Sequence, residues 1–231
     1  MNAAQERQRK YLIIASVISL AIWLVPLFRP ILTPLIYFNT HIHELCHALV
    51  GIATGGSVER IVVEANGSGH ALIGGGSLIL TASAGYVGSA LVGAMMIAGT
   101  KDARGARAML YTAAGFLALS MIMFVRGDVV GVMSGFFWIA ILAAAGLWLS
   151  DDGRILAAQF VGIQLCLTAA HAFFTLLNLS MSSEAMTDAE TLEKATGLPG
   201  MVWATAWLLI SGVAVAASLY RAWHSNSRRA A

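Results

Sequence analysis

Residues 31–53 read ILTPLIYFNTHIHELCHALVGIA, an apolar run that contains three histidines and one carboxylate. A hydrocarbon core about 30 Å thick needs about 20 apolar residues for one helical crossing, so this run predicts a membrane helix. Ionisable groups inside such a helix cost a few kcal/mol each and normally face a cavity, a partner or an ion. The stretch therefore predicts a membrane fold and places the functional site within it.

The rest of the chain extends this pattern. Of its 231 residues 58% are hydrophobic and 11% are charged, whereas a soluble chain has about a quarter charged residues. This composition excludes a water-soluble enzyme, and a net charge of +2 from scattered basic residues argues against nucleic-acid binding. Besides residues 31–53, the apolar runs are 11–28, 76–99, 106–125, 129–149, 155–179 and 201–220.

We expect an all-α membrane protein, a polytopic bundle of six to seven transmembrane helices that forms a single integral membrane domain over 1–231. The count depends on whether residues 11–53, which contain Pro26, Pro30 and Pro34, cross the bilayer once or twice. In the third run, Gly85, Ser89 and Gly93 recur at every fourth position. We interpret them as a flat stripe for close helix packing.

Residues 57–75 interrupt the apolar pattern with mixed sequence around Asn66-Gly67. Asn-Gly favours a type I′ turn, so the segment predicts a short β-hairpin near the site. An irregular interfacial loop is the alternative. The edge of a hairpin could pair with an unwound peptide segment as an added strand.

The motif His43-Glu44-Leu45-Cys46-His47 has the form H-E-x-x-H within the metal-binding helix predicted at 31–53. Residues four apart share one helical face, so both imidazoles can bind one Zn²⁺. Glu44 lies one position around and is the candidate catalytic base for hydrolysis. His41 points to nearly the opposite face, and we interpret it as an interfacial histidine.

A catalytic zinc takes a third protein ligand. Four crossings separate the end of the second run from the loop after the sixth, so the two places share one membrane face. Asp188, in the loop and short helix predicted at 180–199, and His171 both satisfy this condition. Asp188 also has a structural explanation, because Thr187 and Glu190 have capping-box spacing. The residues alone leave Asp188 and His171 open.

Three blocks of sequence make the chain resemble the site-2-protease type of intramembrane zinc metalloproteases, in particular its small bacterial M50B-like branch. They are HELCHAL at 43–49 with Gly55-Gly56, AGYVG at 84–88, and TDAxxL at 187–192 with TGxP at 196–199 and Trp203. A downstream aspartate completes the metal site in such families, so the resemblance implies Asp188 as the third ligand. The Asn-Pro and Leu-Asp-Gly sequences of better-known members are absent, and Cys46 occupies a position usually filled by glycine.

The resemblance implies a zinc-dependent intramembrane endopeptidase in the cytoplasmic (inner) membrane of a bacterium. Its expected partners are the lipid bilayer and membrane-embedded or membrane-tethered protein substrates. One alternative is an inactive zinc-containing scaffold of the same fold that binds membrane partners. A metal transporter is the second alternative, but most of the helices lack the polar groups that a path needs.

Overall fold

The computed structural model describes residues 3–179 and 187–224, and these residues are mostly helical. They form eight α-helices, a short 3-10 helix (Pro26–Phe28) and one two-stranded sheet. In chain order the elements are α1 (Ala3–Leu24), α2 (Arg29–Ala53), β1 (Ser57–Val63), β2 (Gly69–Gly74), α3 (Leu78–Gly99), α4 (Ala103–Met123), α5 (Val129–Trp148), α6 (Asp151–Leu179), α7 (Asp188–Thr196) and α8 (Gly200–His224).

Four of the described helices are long and apolar enough to cross a membrane: α3, α4, α5 and α8. The protein is therefore an integral membrane protein with four candidate spans. The predicted number of six to seven crossings is not confirmed. Helix α2 has Pro34 in its interior, and the Trp138 indole of α5 donates to the Pro34 carbonyl at 2.7 Å, which ties the two helices together.

Helix α3 lies at the centre of the bundle and contacts α2, α6 and α8. Gly93 confirms the predicted close packing, because a Cβ built on it would lie 2.5 Å from the Gly162 carbonyl oxygen of α6. The reciprocal distance, from a Cβ on Gly162 to the Gly93 oxygen, would be 2.9 Å. Only glycines at both positions allow the two backbones to approach this closely.

The β-hairpin predicted at 57–75 is confirmed as an antiparallel pair with Val63 opposite Gly69 and Ile61 opposite Ala71. The expected type I′ turn is wrong in detail. The Gly67 N–H donates to the Glu64 carbonyl at 2.9 Å, so the tight turn covers 64–67 with Asn66 at its third position. Gly67 takes the fourth position with φ +86°, the arrangement of a longer hairpin loop.

Helix α7 is short, and it begins where the capping-box spacing of Thr187 and Glu190 predicts. Thr187 accepts a hydrogen bond from the Glu190 N–H, and the Glu190 carboxylate accepts one from the Thr187 N–H, which completes the capping box. Gly197 ends the helix with φ +74°. Ala189 and Leu192 pack against α3 and α8, where they meet Ala82 and Trp207. This packing fixes the first residue of α7, Asp188, against the bundle.

Candidate metal centre

His43 and His47 lie one turn apart on α2, and their side chains converge as the motif predicts. The two Nε2 atoms are 3.0 Å apart, and the rings meet edge to face at a centroid distance of 4.6 Å. Both side chains are largely enclosed, with exposed fractions of 15% and 7%. The polar edges of the two imidazoles therefore point at one common position.

Asp188 approaches the same position from α7, 141 residues after His47 in the chain. Its Oδ2 atom lies 3.2 Å from the Nε2 of His43 and 3.2 Å from the Nε2 of His47. The capping box and the apolar contacts of α7 hold this carboxylate in place. Asp188 can therefore be both the first residue of a capped helix and a candidate metal ligand.

The three ligand atoms fit a zinc ion. They form a triangle with edges of 3.0, 3.2 and 3.2 Å. A tetrahedral zinc with bonds of 2.0–2.1 Å to nitrogen and oxygen requires ligand atoms about 3.3 Å apart. The Nδ1–H of His47 donates to the Thr81 carbonyl at 2.6 Å, which leaves the Nε2 lone pair directed at the centre. Two nitrogens and one carboxylate oxygen are also a common donor set for zinc.

Asp188 is ionised in this arrangement. Burial alone would raise the pKa of its carboxyl group, but the side-chain contacts with His43 and His47 outweigh burial and hold the pKa well below its usual range. The carboxylate is the form that binds a metal ion.

A cavity of about 770 Å³ opens beside the three ligand atoms. Helix α2, strand β2, helix α3 and the start of α7 form its walls. Glu44 lines this cavity and is 4% exposed. A Cβ built on Gly69 of β2 would lie 3.1 Å from the Glu44 Oε1 atom, so the hairpin passes directly over the carboxylate.

Gly85 and Tyr86 of α3 belong to the site, although the residues alone gave them no role in it. A Cβ built on Gly85 would overlap the Nε2 atoms of both histidines and the Cε1 of His43. The Tyr86 ring meets the His43 ring edge to face at 4.6 Å. Both residues fall in the AGYVG block at 84–88, which is the signal that the sequence offers for them, whereas the spacing of Gly85 with Ser89 and Gly93 indicates only helix packing.

The structure describes the side chain of His41 but not that of His171. His41 points away from the cluster as expected, but it is fully buried against α5, and its Nε2–H donates to the Gly131 carbonyl at 3.0 Å. His41 therefore packs within the bundle, and its predicted position at the membrane interface stays a prediction. His171 lies on α6, and its side chain is outside the part of the chain that the structure describes.

The fold and this cluster define a class: an integral membrane protein with three side chains arranged to hold a metal ion. The ligand roles of His43, His47 and Asp188 and the catalytic role of Glu44 stay predictions. The family model described as Peptidase M50B-like matches residues 13–218. The chain therefore belongs to this family of membrane metallopeptidases, which confirms the resemblance. Searches of curated proteins and of solved structures found no match.

Proposed function

We propose that this protein is a zinc-dependent intramembrane endopeptidase that cleaves membrane-embedded or membrane-tethered proteins. The observation that carries the proposal is the convergence of His43, His47 and Asp188 at one edge of a cavity that also contains Glu44. Membership in a metallopeptidase family supports the same chemistry.

His43, His47 and Asp188 would hold the Zn²⁺. When bound there, zinc supplies Lewis acidity, which polarises the scissile carbonyl and makes water acidic enough to attack at neutral pH. Glu44 adjoins His43 on α2, lines the cavity and is nearly enclosed. Its carboxylate accepts a proton from the attacking water and returns it to the leaving amine.

Among the described residues β2 pairs only with β1, and its outer edge supports a second part of the proposal, the binding of an unwound substrate segment. On the outer side of β1, the Ile61 N–H donates to the Phe124 carbonyl at 2.8 Å, and the Ile61 carbonyl accepts from the Arg126 N–H at 2.9 Å. Both backbone groups of Ile61 therefore point away from β2. Ala71 lies opposite Ile61, so in an antiparallel ladder its N–H and carbonyl point away from β1.

Ala71 and Gly69 line the cavity, which places this outward edge beside the metal ligands. A helix conceals its amides in its own hydrogen bonds, so a peptidase in the membrane must first expose the scissile bond. An unwound segment that pairs with β2 would have its amides satisfied by the strand and its carbonyl close to Glu44.

Replacing Ala71 by proline tests this pairing. The substitution removes an outward N–H and leaves the β1–β2 ladder intact, a position where edge strands tolerate proline. We expect cleavage to slow at least tenfold with zinc content unchanged. Val62→Pro is the comparison variant, because Val62 pairs with His70 inside the hairpin. A proline there removes a backbone N–H that faces β2 and so disrupts the hairpin itself. Wild-type cleavage by Ala71→Pro would exclude the pairing.

Glu44→Gln tests the enzymatic proposal itself. The protein is purified in mild detergent, its zinc is quantified, and cleavage of a labelled single-span membrane protein with a Gly- and Pro-containing helix is followed. We expect stoichiometric zinc in wild type and variant, and a 10²–10⁴-fold loss of cleavage in the variant. The matched control is Glu59→Gln, at an exposed glutamate of β1.

Other results would favour the alternatives. A wild-type protein that contains zinc but cleaves nothing, and whose cellular activity survives Glu44→Gln, would be a zinc-containing scaffold. Zinc flux into proteoliposomes that is insensitive to Glu44→Gln would indicate a transporter. A protein without a stoichiometric metal ion would contradict the peptidase and the zinc-containing scaffold.

A further inference from the structure

Tyr86 is the aromatic side chain in direct contact with a candidate ligand in the described part of the cavity. It lies on α3, and its ring meets the His43 ring edge to face at 4.6 Å with an interplanar angle of 81°. On another side it stacks on Trp207 of α8 at 5.1 Å and 18°. The Trp207 indole is itself fixed, because its Nε1–H donates to the Ser83 hydroxyl at 2.8 Å.

These contacts hold the Tyr86 ring without using its hydroxyl group. Within residues 3–179 and 187–224 the hydroxyl has no hydrogen-bond partner, and it is not fully enclosed. Tyr86 lines the same cavity as Glu44 and Asp188, so its unpaired hydroxyl is a candidate donor to a ligand in that cavity.

Three of the other four hydroxyl groups of the cavity wall are engaged as donors or enclosed. The exception is Thr187, whose oxygen accepts from the Glu190 N–H at the start of α7 and which no ring contact orients. The Thr191 hydroxyl donates to the Thr187 carbonyl at 3.0 Å. Ser68 donates to the Asn66 side chain at 2.7 Å. The Thr81 hydroxyl has no partner among the described residues, but it is fully enclosed.

We propose that Tyr86 is a further catalytic residue, whose hydroxyl donates a hydrogen bond to the scissile carbonyl oxygen as that oxygen gains negative charge. The inference rests on the proposed peptidase function. No bond of Tyr86 breaks and its proton stays on the phenol, so the step is electrostatic stabilisation by a fixed donor.

A fixed donor would add to the polarisation that a bound zinc supplies, and Tyr86 is better oriented for this than the other side chains of the cavity. Glu44 takes the proton of the attacking water and passes it to the leaving amine, so that proton is committed to the amine and not to the carbonyl oxygen. His43, His47 and Asp188 direct their atoms at the metal position. His70 lies in β2, is about half exposed, and has its Nδ1 atom 4.0 Å from Glu64. The phenol is a neutral donor at pH 7 and is already oriented by two rings.

Tyr86→Phe is the test, because it keeps the ring and both stacking contacts and removes only the oxygen. In the zinc-loaded protein we expect kcat to fall 10²–10³-fold, as for the loss of one oxyanion donor. KM and zinc stoichiometry should change less than twofold. Tyr111→Phe on α4 is the matched control, since its hydroxyl contacts only the exposed Arg107 among the described residues.

A second measurement does not depend on turnover. A phosphinic analogue of the cleaved peptide has a tetrahedral oxygen for Tyr86, whereas a thiol peptide of the same sequence binds the metal without one. We expect Tyr86→Phe to weaken phosphinic binding 10²–10³-fold and to leave thiol binding unchanged. If each analogue binds Tyr86→Phe as tightly as it binds the wild-type protein, and kcat is unchanged, the proposed role of Tyr86 is wrong. The proposed peptidase function would not be affected by that result.

Loss of zinc in Tyr86→Phe would also overturn the role, because it would show that the tyrosine serves the structure of the site. Failure of the underlying function has a different signature. In that case the wild-type protein itself cleaves no substrate and binds the thiol but not the phosphinic peptide.

Discussion

Replacing Gly85 by alanine should remove the metal ion with little change elsewhere in the bundle. The new methyl group would overlap the Nε2 atoms of His43 and His47 and the Cε1 atom of His43. Carbon and nitrogen atoms in contact settle about 3.5 Å apart, so both imidazoles would have to retreat. Helix α3 is also held two turns away by the close contact of Gly93 with Gly162, so it has little freedom to retreat instead.

The size of the expected loss in zinc affinity follows from how small a displacement of its ligands a metal site tolerates. Metal–ligand distances in proteins hold to about 0.2 Å, and loss of a single supporting contact behind a ligand costs 10–100-fold in affinity. Gly85→Ala displaces two ligands together, so we expect zinc affinity to fall at least about 100-fold. Since a tenfold change is 1.4 kcal/mol, the loss is at least about 2.8 kcal/mol of binding free energy.

The assay is zinc content after equilibration with chelator-buffered zinc, measured together with thermal unfolding in detergent. Two controls separate the possible causes. Gly212→Ala in α8 adds a methyl group with nothing within 4 Å, and Gly88→Ala meets Cys46 at 2.7 Å without contacting a ligand. Zinc affinity of Gly85→Ala within threefold of wild type would refute the reasoning, because the imidazoles would then not lie against Gly85.

The remaining predictions concern the third ligand and its support. Asp188→Ala should lose zinc and His171→Ala should retain it, as measured by metal analysis, and the reverse result would transfer the third ligand to His171. Thr187→Ala removes the cap of α7, which costs about 1 kcal/mol, so zinc affinity should fall about fivefold, whereas Thr205→Ala on the exposed face of α8 should not change it. The pKa of Asp188 is lowered in the folded state, so in metal-free protein its stabilisation is present above the unfolded pKa of about 3.9 and lost as pH falls through the folded pKa. The unfolding temperature of metal-free Asp188→Asn should therefore depend less on acid pH than that of the wild-type protein.

Local sequence spacing predicted the part of the site that one helix carries. His43 and His47 are four residues apart, and the pitch of a helix suffices to place both on one face. The same reasoning explains why His41 points away. It does not show what His41 meets, since the Gly131 carbonyl comes from α5, about 90 residues later in the chain.

The position of Asp188, the candidate third ligand, depends on tertiary packing, which no local sequence pattern predicts. The capping-box spacing of Thr187 and Glu190 predicted where α7 begins, and the structure confirms it. It did not predict that Leu192 and Ala189 bury against α3 and α8, the contact that brings Asp188 to the histidines. The resemblance to a family supplied that position instead.

The turn of the hairpin shows another limit of local patterns. Asn66-Gly67 predicted a reversal of the chain, and a reversal is present. The two-residue loop was wrong because the i to i+3 hydrogen bond begins at Glu64 and because the Asn66 side chain accepts hydrogen bonds from the Ser68 N–H and hydroxyl. These contacts favour a longer loop, so the residue pair located the turn without fixing its type.

The small-residue stripe of α3 shows why a glycine is ambiguous in a sequence. A glycine in a sequence indicates only that some group approaches the backbone closely. It does not identify that group. Gly93 meets another backbone, Ser89 donates to the Gly85 carbonyl of its own helix, and Gly85 itself meets two imidazoles. A stripe that sequence alone assigns to helix packing therefore contains, at one end, the residue that leaves room for a metal site. The same absence of a methyl group serves membrane packing at Gly93 and, if zinc binds as proposed, chemistry at Gly85, two turns away.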